Sequence, residues 1–383
     1  MEPAPATTLT RSVKWSVPDG WIGAGIAESD FGTAPEVVAA LQQAVAAQSL
    51  TYLSPSVATA ATEACAAFLA ARHGWSVPAE RVHLVPDVLT GLRIVLRRFI
   101  PPGAPVVVPT PAYMPFLDVP VQEGHPVIQL RSRQDATGRW AIDLDGLARA
   151  FAERGAALLL LCNPHNPLGQ VMTAAEQAAV RDVVERAGAR VFSDEIHAPV
   201  VYPGGRHLPY ATLDEVTAAH TVTATSISKG WNAPGLKCAQ VVLTSDHDQA
   251  VWVREDLEPV QGGSMLGAIG ARAAYLDGVG WLDRVLAQLR SNRDLLADLL
   301  AEHLPEARWR VPDATYLAWL DLGAYRLGRP AADVLAEQAH VVVTPGAACG
   351  TGFDHCVRLN FAMPPEMIER TLTRLALAVR RVP

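Results

Sequence analysis

Cysteine is scarce in this chain and what there is lies scattered. The five residues Cys65, Cys162, Cys238, Cys349 and Cys356 include no Cys-x-x-C pair. That spacing argues against a structural zinc site or a disulfide framework and fits a reducing compartment. No long basic block is present and the formal charge is −7, which disfavours nucleic acid as a partner. No stretch approaches the roughly 20 apolar residues of a membrane span. The segment from Met1 to Arg11 is polar, with two prolines and no apolar signal-peptide core, so the expected location is the cytoplasm. Internal repeats and low-complexity linkers are also missing.

Apolar residues are plentiful: 50% of the 383 residues are hydrophobic and 19% are charged. That supports a sizeable core and, at this length, one large and one smaller domain. Residues 1 to about 32 read as an irregular arm. Thr33 is placed to cap a helix beginning Ala34-Pro35-Glu36. Leu50 to Pro55 reads as a loop, followed by a helix to about Arg72.

Strands and helices then alternate. Val82–Val85, Pro105–Val108, Val127–Leu130, Ala157–Cys162, Arg190–Ser193, His220–Ile227 and Cys238–Thr244 read as strands. Helices are expected after Asp87, from Tyr113, over Asp143–Glu153 and over Thr173–Ala187. Several of the strands are apolar on both faces, as in a parallel sheet covered by helices. This predicts an open α/β domain of mostly parallel strands. Two long helices at about 263–277 and 279–303 precede a short α+β segment with strands Ala314–Leu320, Val341–Thr344 and His355–Phe361 and a closing helix. The expected division is an N-terminal arm and helix (1–45) packing with the small domain, a large domain (46–284) and a small domain (285–383).

In such a sheet, ligands bind beyond the carboxyl ends of the strands. Four of those ends are polar: Asp87 to Thr90, Asn163-Pro164-His165-Asn166-Pro167, Ser193-Asp194-Glu195-Ile196-His197, and Ser226-Ile227-Ser228-Lys229. A lysine backed by apolar residues is poorly hydrated, which lowers its pKa and makes it a nucleophile toward carbonyls. Each motif also has a plain structural reading as a turn, a helix start or a solvated loop charge. Together they suit pyridoxal 5′-phosphate (PLP). Its aldehyde needs a lysine, its ring nitrogen a carboxylate, and its phosphate a helix N-terminus and hydroxyls. Lys229, Asp194, the helix starting near Val88, and Ser226 supply these. A metal site on Asp194, His197 and His165 is the weaker reading. The glycines between Gly346 and Gly352 lack the spacing of a dinucleotide fingerprint.

With these motifs in this order, the sequence resembles PLP enzymes of fold type I, the class I/II aminotransferase superfamily. Within it the chain looks most like the cystathionine β-lyase-like C–S lyases related to the maltose-regulon modulator. Further support comes from Ser228-Lys229-Gly230-Trp231-Asn232-Ala233-Pro234-Gly235-Leu236 and Val357-Arg358-Leu359-Asn360-Phe361. The resemblance implies a seven-stranded, mostly parallel sheet in the large domain. It implies that Lys229 holds PLP as a Schiff base and then moves the substrate α-proton. Asp194 pairs with the ring nitrogen, while Asn166 and His197 bond the ring oxygen. Tyr113 stacks on the ring, and Tyr113 and Lys229 are candidates to protonate the leaving group. Backbone groups at Val88 and Leu89, with Ser226 and Lys237, hold the phosphate. Tyr52 reaches the cofactor of a neighbouring subunit in a homodimer. Arg358, beside Asn166, clamps the substrate α-carboxylate as a bidentate pair.

The implied activity is β-elimination from cystathionine or another S-substituted cysteine. The alternatives are an aminotransferase, a specialised PLP enzyme acting on an S-conjugate by elimination or decarboxylation, and a PLP-binding regulator. The chain departs from the family pattern at Asp87, where glycine is common, at Lys237, where arginine is common, at Thr51-Tyr52, and at Ala27-Glu28-Ser29-Asp30.

Overall fold

The computed structural model describes residue 1, residues 11–254 and residues 263–380. Its centre is one sheet of seven strands: β1 (Val82–Val85), β2 (Val106–Thr110), β3 (Val127–Arg131), β4 (Leu158–Cys162), β5 (Arg190–Asp194), β6 (Thr221–Ser226) and β7 (Ala239–Leu243). Their spatial order is β1-β7-β6-β5-β4-β2-β3. Strands β2, β4, β6 and β7 are buried along their whole length, as expected for strands covered on both faces. Six strands run the same way; β7 is antiparallel to both β1 and β6.

Helices α1 (Pro35–Ala46), α2 (Pro55–His73), α3 (Val88–Arg98), α4 (Pro115–Gln122), α5 (Leu144–Arg154), α6 (Ala174–Ala187) and α7 (Met265–Leu276) pack around this sheet and its N-terminal flank. Asp87 caps α3, and Thr173 with Glu176 forms a capping box on α6. The 25-residue helix α8 (Val279–His303) leads to a three-stranded antiparallel sheet. This sheet contains β8 (Leu317–Asp321), β9 (Thr344–Pro345) and β10 (Cys356–Asn360), with β10 in the middle. Helix α9 (Pro365–Arg380) follows. The N-terminal arm joins this end of the molecule, because Ile22–Gly23 pairs in parallel with Val341–Val342.

Several local expectations change. The cap of α1 is Ala34, with no side-chain bond, because the Thr33 hydroxyl donates to the Asn232 carbonyl instead. The strand expected over His220–Ile227 is β6 alone: His220 closes a short helix, and Ile227 opens the one-turn helix Ile227–Gly230. The strand expected from Ala314 begins at Leu317, since Thr315 has a φ of 68° and turns the chain. Trp140–Ala141 folds back on Arg133–Gln134 as a small hairpin, and Asp246–Arg254 is helical; the periodicity signalled neither.

Candidate active site

Sheet order places the polar motifs. The chain runs from β2 outward to β3 and returns to β4 on the other side of β2, so the β2–β4 junction is a topological switch point, where a crevice opens. Tyr113 follows β2 and Asn163 to Asn166 follow β4 at that crevice. Asp194 ends β5, and Lys229 lies in the turn after β6. The antiparallel β7 begins at the same edge, opposite Ser226 and Val85, which brings Lys237 beside the start of α3.

The turn bearing Lys229 is fixed by close packing. A Cβ on Gly230 would meet Pro199 Cβ at 2.9 Å, so glycine lets this turn seat against the segment after His197. Lys229 Nζ donates to the Ala27 carbonyl at 3.0 Å. Burial, then the Arg358 guanidinium, lowers its pKa from 10.5 to about 8, against the opposing pull of Glu28 and Asp194. Asp194 is buried, accepts the Ile196 amide at 3.0 Å and has no salt-bridge partner among the described residues; burial pushes its pKa up to about 7. His197 is 1% exposed, and neither ring nitrogen has a partner among the described residues. Burial, then Lys229 and Arg358, holds its pKa well below the ordinary value, so its ring is neutral.

Across the crevice, Arg358 comes from β10. One terminal nitrogen donates to Asn166 Oδ1 at 2.8 Å, the other to the Gly25 carbonyl at 2.7 Å, and Nε has no partner. Two of its five N–H groups are thereby committed and the rest remain for a ligand. Tyr113 stands edge-on to Phe116, with a ring-centroid distance of 5.5 Å. Burial pushes its phenol up to about 12, so at neutral pH it keeps its proton.

At the start of α3, Asp87 Oδ1 accepts the Thr90 amide and hydroxyl, both at 2.8 Å. The amides of Val88 and Leu89 then have no helix carbonyl to bond, which leaves a ready anion cradle. Burial raises the Asp87 pKa, but the Lys237 bond and the two Thr90 bonds outweigh it and hold the carboxylate below its ordinary value. The sequence reading aimed Lys237 at a phosphate. Here its ammonium is paired with Asp87 at 2.7 Å, which neutralises the carboxylate placed where glycine is common. Ser226 is likewise committed: it caps the Lys229 turn through the Ser228 amide, donates to the Cys238 carbonyl at 3.0 Å, and is 1% exposed. Ser228, 2.7 Å away, is the more accessible hydroxyl. Tyr52 is 99% exposed on the single chain.

The structure adds residues that motifs could not show. Carbonyls of the N-terminal arm line the site: Gly25 accepts Arg358, Ala27 accepts Lys229 and Tyr316, and Ile26 and Glu28 accept Asn360. Behind them the Lys14 ammonium is buried on Asp30 at 3.0 Å. A backbone carbonyl carries no sequence signature, so nothing in the residue pattern could have found this wiring. His165, read as a turn residue, has an unpartnered Nδ1 and lines a cavity of about 120 Å³ together with Tyr113 and Asn166. Away from the site, Asp321, His355 and Cys356 bring possible metal ligands within 4.8 Å of one another, a set the sequence reading did not single out.

These residues fit PLP. A buried carboxylate lacks a cation, a buried imidazole lacks any partner, a helix start presents free amides, and a desolvated lysine stands among them.

Comparison with known proteins agrees. Residues 19–375 match the family model for aminotransferase class I and II. The chain is 37% identical to a cystathionine beta-lyase of Corynebacterium glutamicum over 367 residues, 96% of each chain. The structure of a Corynebacterium diphtheriae protein assigned as a PLP-dependent β-cystathionase superposes with a TM-score of 0.93 at 34% identity, covering 100% of both chains. That of a PLP-bound C–S lyase from Staphylococcus hominis gives 0.90 at 25% identity, covering 97% of this chain and 96% of that one. The chain therefore belongs to the PLP-dependent C–S lyase family built on the aminotransferase class I and II fold.

Proposed function

We propose that this protein is a carbon–sulfur β-lyase that cleaves cystathionine or another S-substituted L-cysteine to a thiol, pyruvate and ammonia. The observation that carries this reading is the convergence of a desolvated Lys229 amine and the Arg358 guanidinium on one crevice, with Asp194 and the unpartnered His197 beneath. The curated relatives named as cystathionine β-lyases support it.

PLP, when bound, supplies an electron sink that stabilises negative charge at the substrate α-carbon. The chain's own residues do the rest. Asp194 would hold the ring nitrogen, Asn166 and His197 would bond the ring oxygen, and Tyr113 would lie against the ring. The Val88 and Leu89 amides would receive the phosphate, with the accessible Ser228 hydroxyl in place of the committed Ser226 and the Asp87-paired Lys237 adding charge nearby. Arg358, braced by Asn166 and the Gly25 carbonyl, binds the α-carboxylate. Lys229 Nζ takes the α-proton. As the C–S bond breaks, its electron pair leaves with sulfur, and the thiolate takes a proton from the Tyr113 hydroxyl or from Lys229 Nζ. The remaining three-carbon enamine hydrolyses to pyruvate and ammonia.

The working form in this reading is a cytoplasmic homodimer. All five cysteines are free and buried, which suits a reducing compartment. No helix among the described residues is long and apolar enough to cross a membrane. Tyr52 is fully exposed, and Leu50 (63%) and Val45 (51%) in the preceding stretch of chain are exposed too; a second subunit would cover such apolar side chains, and Tyr52 would then reach the partner's cofactor.

The test is a product assay with L-cystathionine and no keto acid. Pyruvate and ammonia formed in equal amounts over many turnovers support the β-lyase. One turnover per site, with activity restored only by adding a keto acid, would make the protein an aminotransferase.

A further inference from the structure

A second polar cavity, of about 100 Å³, lies between the hairpin at 133–141 and the small sheet. A single water needs roughly 10–15 Å³ on the same measure, so this space suits a ligand of several atoms. Its wall includes Arg131 at the end of β3 and, from the other side, Arg308, Trp319 and Asp321. In the β8–β10 register Trp319 stands opposite Arg358, and Asp321 stands opposite Cys356. The cavity is therefore one step along the same sheet face from the Arg358 clamp. Leu168, Trp319, Phe353 and Cys356, packed as one cluster, form part of the cavity wall.

Four features give this cavity a binding character. The Arg131 guanidinium lies 4.6 Å over the Phe353 ring, which holds it in place. Among the described residues neither Arg131 nor Arg308 has a carboxylate partner, whereas the neighbouring Arg310 is paired with Asp313 at 2.9 Å. The Trp319 indole N–H is buried with no hydrogen-bond partner, on a side chain only 5% exposed. Asp321 accepts the Gly323 amide through Oδ1 at 2.8 Å, leaving its other oxygen for a cation. The donor set of two guanidinium groups and an indole matches a carboxylate, and Asp321 matches an ammonium. The alternative occupant, a metal ion on Asp321, His355 and Cys356, meets an obstacle: Arg131 and Arg308 face the same space with like charge.

We infer that this cavity is a second, non-catalytic site for a small α-amino acid, held by its carboxylate on Arg131 and Arg308 and by its ammonium on Asp321. The ligand bridges the large sheet and the small sheet, so by linkage it stabilises the folded molecule.

The experiment is a calorimetric titration of the PLP-loaded enzyme with 2-aminoisobutyrate, read alongside the visible absorption of the bound cofactor. This probe lacks an α-proton, so no elimination follows, and the outcome does not depend on the lyase reading. Binding at the catalytic site perturbs the visible band; binding at the second site leaves it silent. The expected result is two classes of site. The spectrally silent class weakens at least about tenfold, or roughly 1.4 kcal/mol, in the Arg131→Ala/Arg308→Ala variant and in Asp321→Asn, while the visible response is unchanged. An intact visible band in the variants shows that the fold survives. A single class that tracks the visible band overturns the inference. So does a silent class of full affinity in either variant, or binding of Zn²⁺ alone at this cavity, abolished by Cys356→Ala.

Discussion

Asp194 and Glu195 are adjacent acids at the end of one strand, and the chain treats them oppositely. Glu195 is fully engaged: it accepts the Ser193 hydroxyl at 2.9 Å, the Tyr210 amide at 2.9 Å and His207 Nε2 at 2.7 Å, all buried. Asp194 accepts one amide, and burial pushes its pKa up to about 7. One carboxylate ties β5 to the loop at 207–210; the other is left short of partners at a cost that a bound cation at the crevice would offset. A related contrast separates His207, whose Nε2 is bonded to Glu195, from His197, neither of whose ring nitrogens has a partner among the described residues. At this strand end the engaged acid holds the fold, and the acid short of partners faces the crevice.

Four experiments break or sharpen this contrast. The largest effect is expected from Lys229→Ala, which removes the amine that the proposed mechanism uses both to anchor the cofactor and to move the proton. Turnover falls by at least about 1,000-fold and the visible band of the lysine-bound cofactor disappears. Next come the paired acid variants. Asp194→Asn lowers kcat/KM by about 100-fold, roughly 2.7 kcal/mol of lost charge pairing, with thermal stability nearly unchanged. Glu195→Gln does the reverse: two to three kcal/mol, as an order-of-magnitude figure, leaves stability, the Tm drops by roughly 5 °C, and kcat/KM changes little. Equal effects of the two variants on activity would erase the distinction.

A smaller and more specific effect concerns pH. Attack on the cofactor aldehyde needs the neutral Lys229 amine, so the rate at which cofactor-free protein recovers its visible band rises with pH. The inflection belongs near 8, where burial and then Arg358 have placed the group, rather than near 10.5. Arg358→Gln removes one positive neighbour and moves the inflection upward. Stopped-flow absorbance across a pH series reads both shifts. The smallest effect is expected from Lys237→Ala. Its charge is already committed to Asp87, so cofactor affinity falls only a few-fold, and Asp87→Gly in the same chain restores it because no unpaired carboxylate is then left facing the phosphate.

The main elements were readable because their signals are local. Leu158 to Cys162 is an unbroken apolar run, and Thr173 with Glu176 announces a helix start. Strand order was not readable, since no residue pattern states that β7 runs antiparallel between β1 and β6. The His220–Ile227 run was read too long at both ends, because helices of six and four residues are too short to show a period. In the crevice, Lys229, Asp194 and Asn166 stood out by residue type and by position after strands. What escaped was everything set by distance in space. The Arg358–Asn166 bond joins the small sheet to the loop after β4, Lys237 turned to Asp87 instead of remaining free, and Ser226 spent its hydroxyl on the turn it begins.

The wiring of Gly25 to Glu28 also dictates an order of assembly. These carbonyls are acceptors for Lys229, Arg358 and Asn360, and the strand beside them pairs with Val341–Val342. During synthesis the arm precedes these partners, and Arg358 and Asn360 follow Gly25 and Ile26 by 333 and 334 residues. The large sheet has all its strands once Leu243 is out, but the crevice has no finished wall until residue 360 has been made. The arm carbonyls thus close the crevice late, and a nascent chain holds Lys229, Asp194 and Asn166 well before the wall at Arg358 and Asn360 exists.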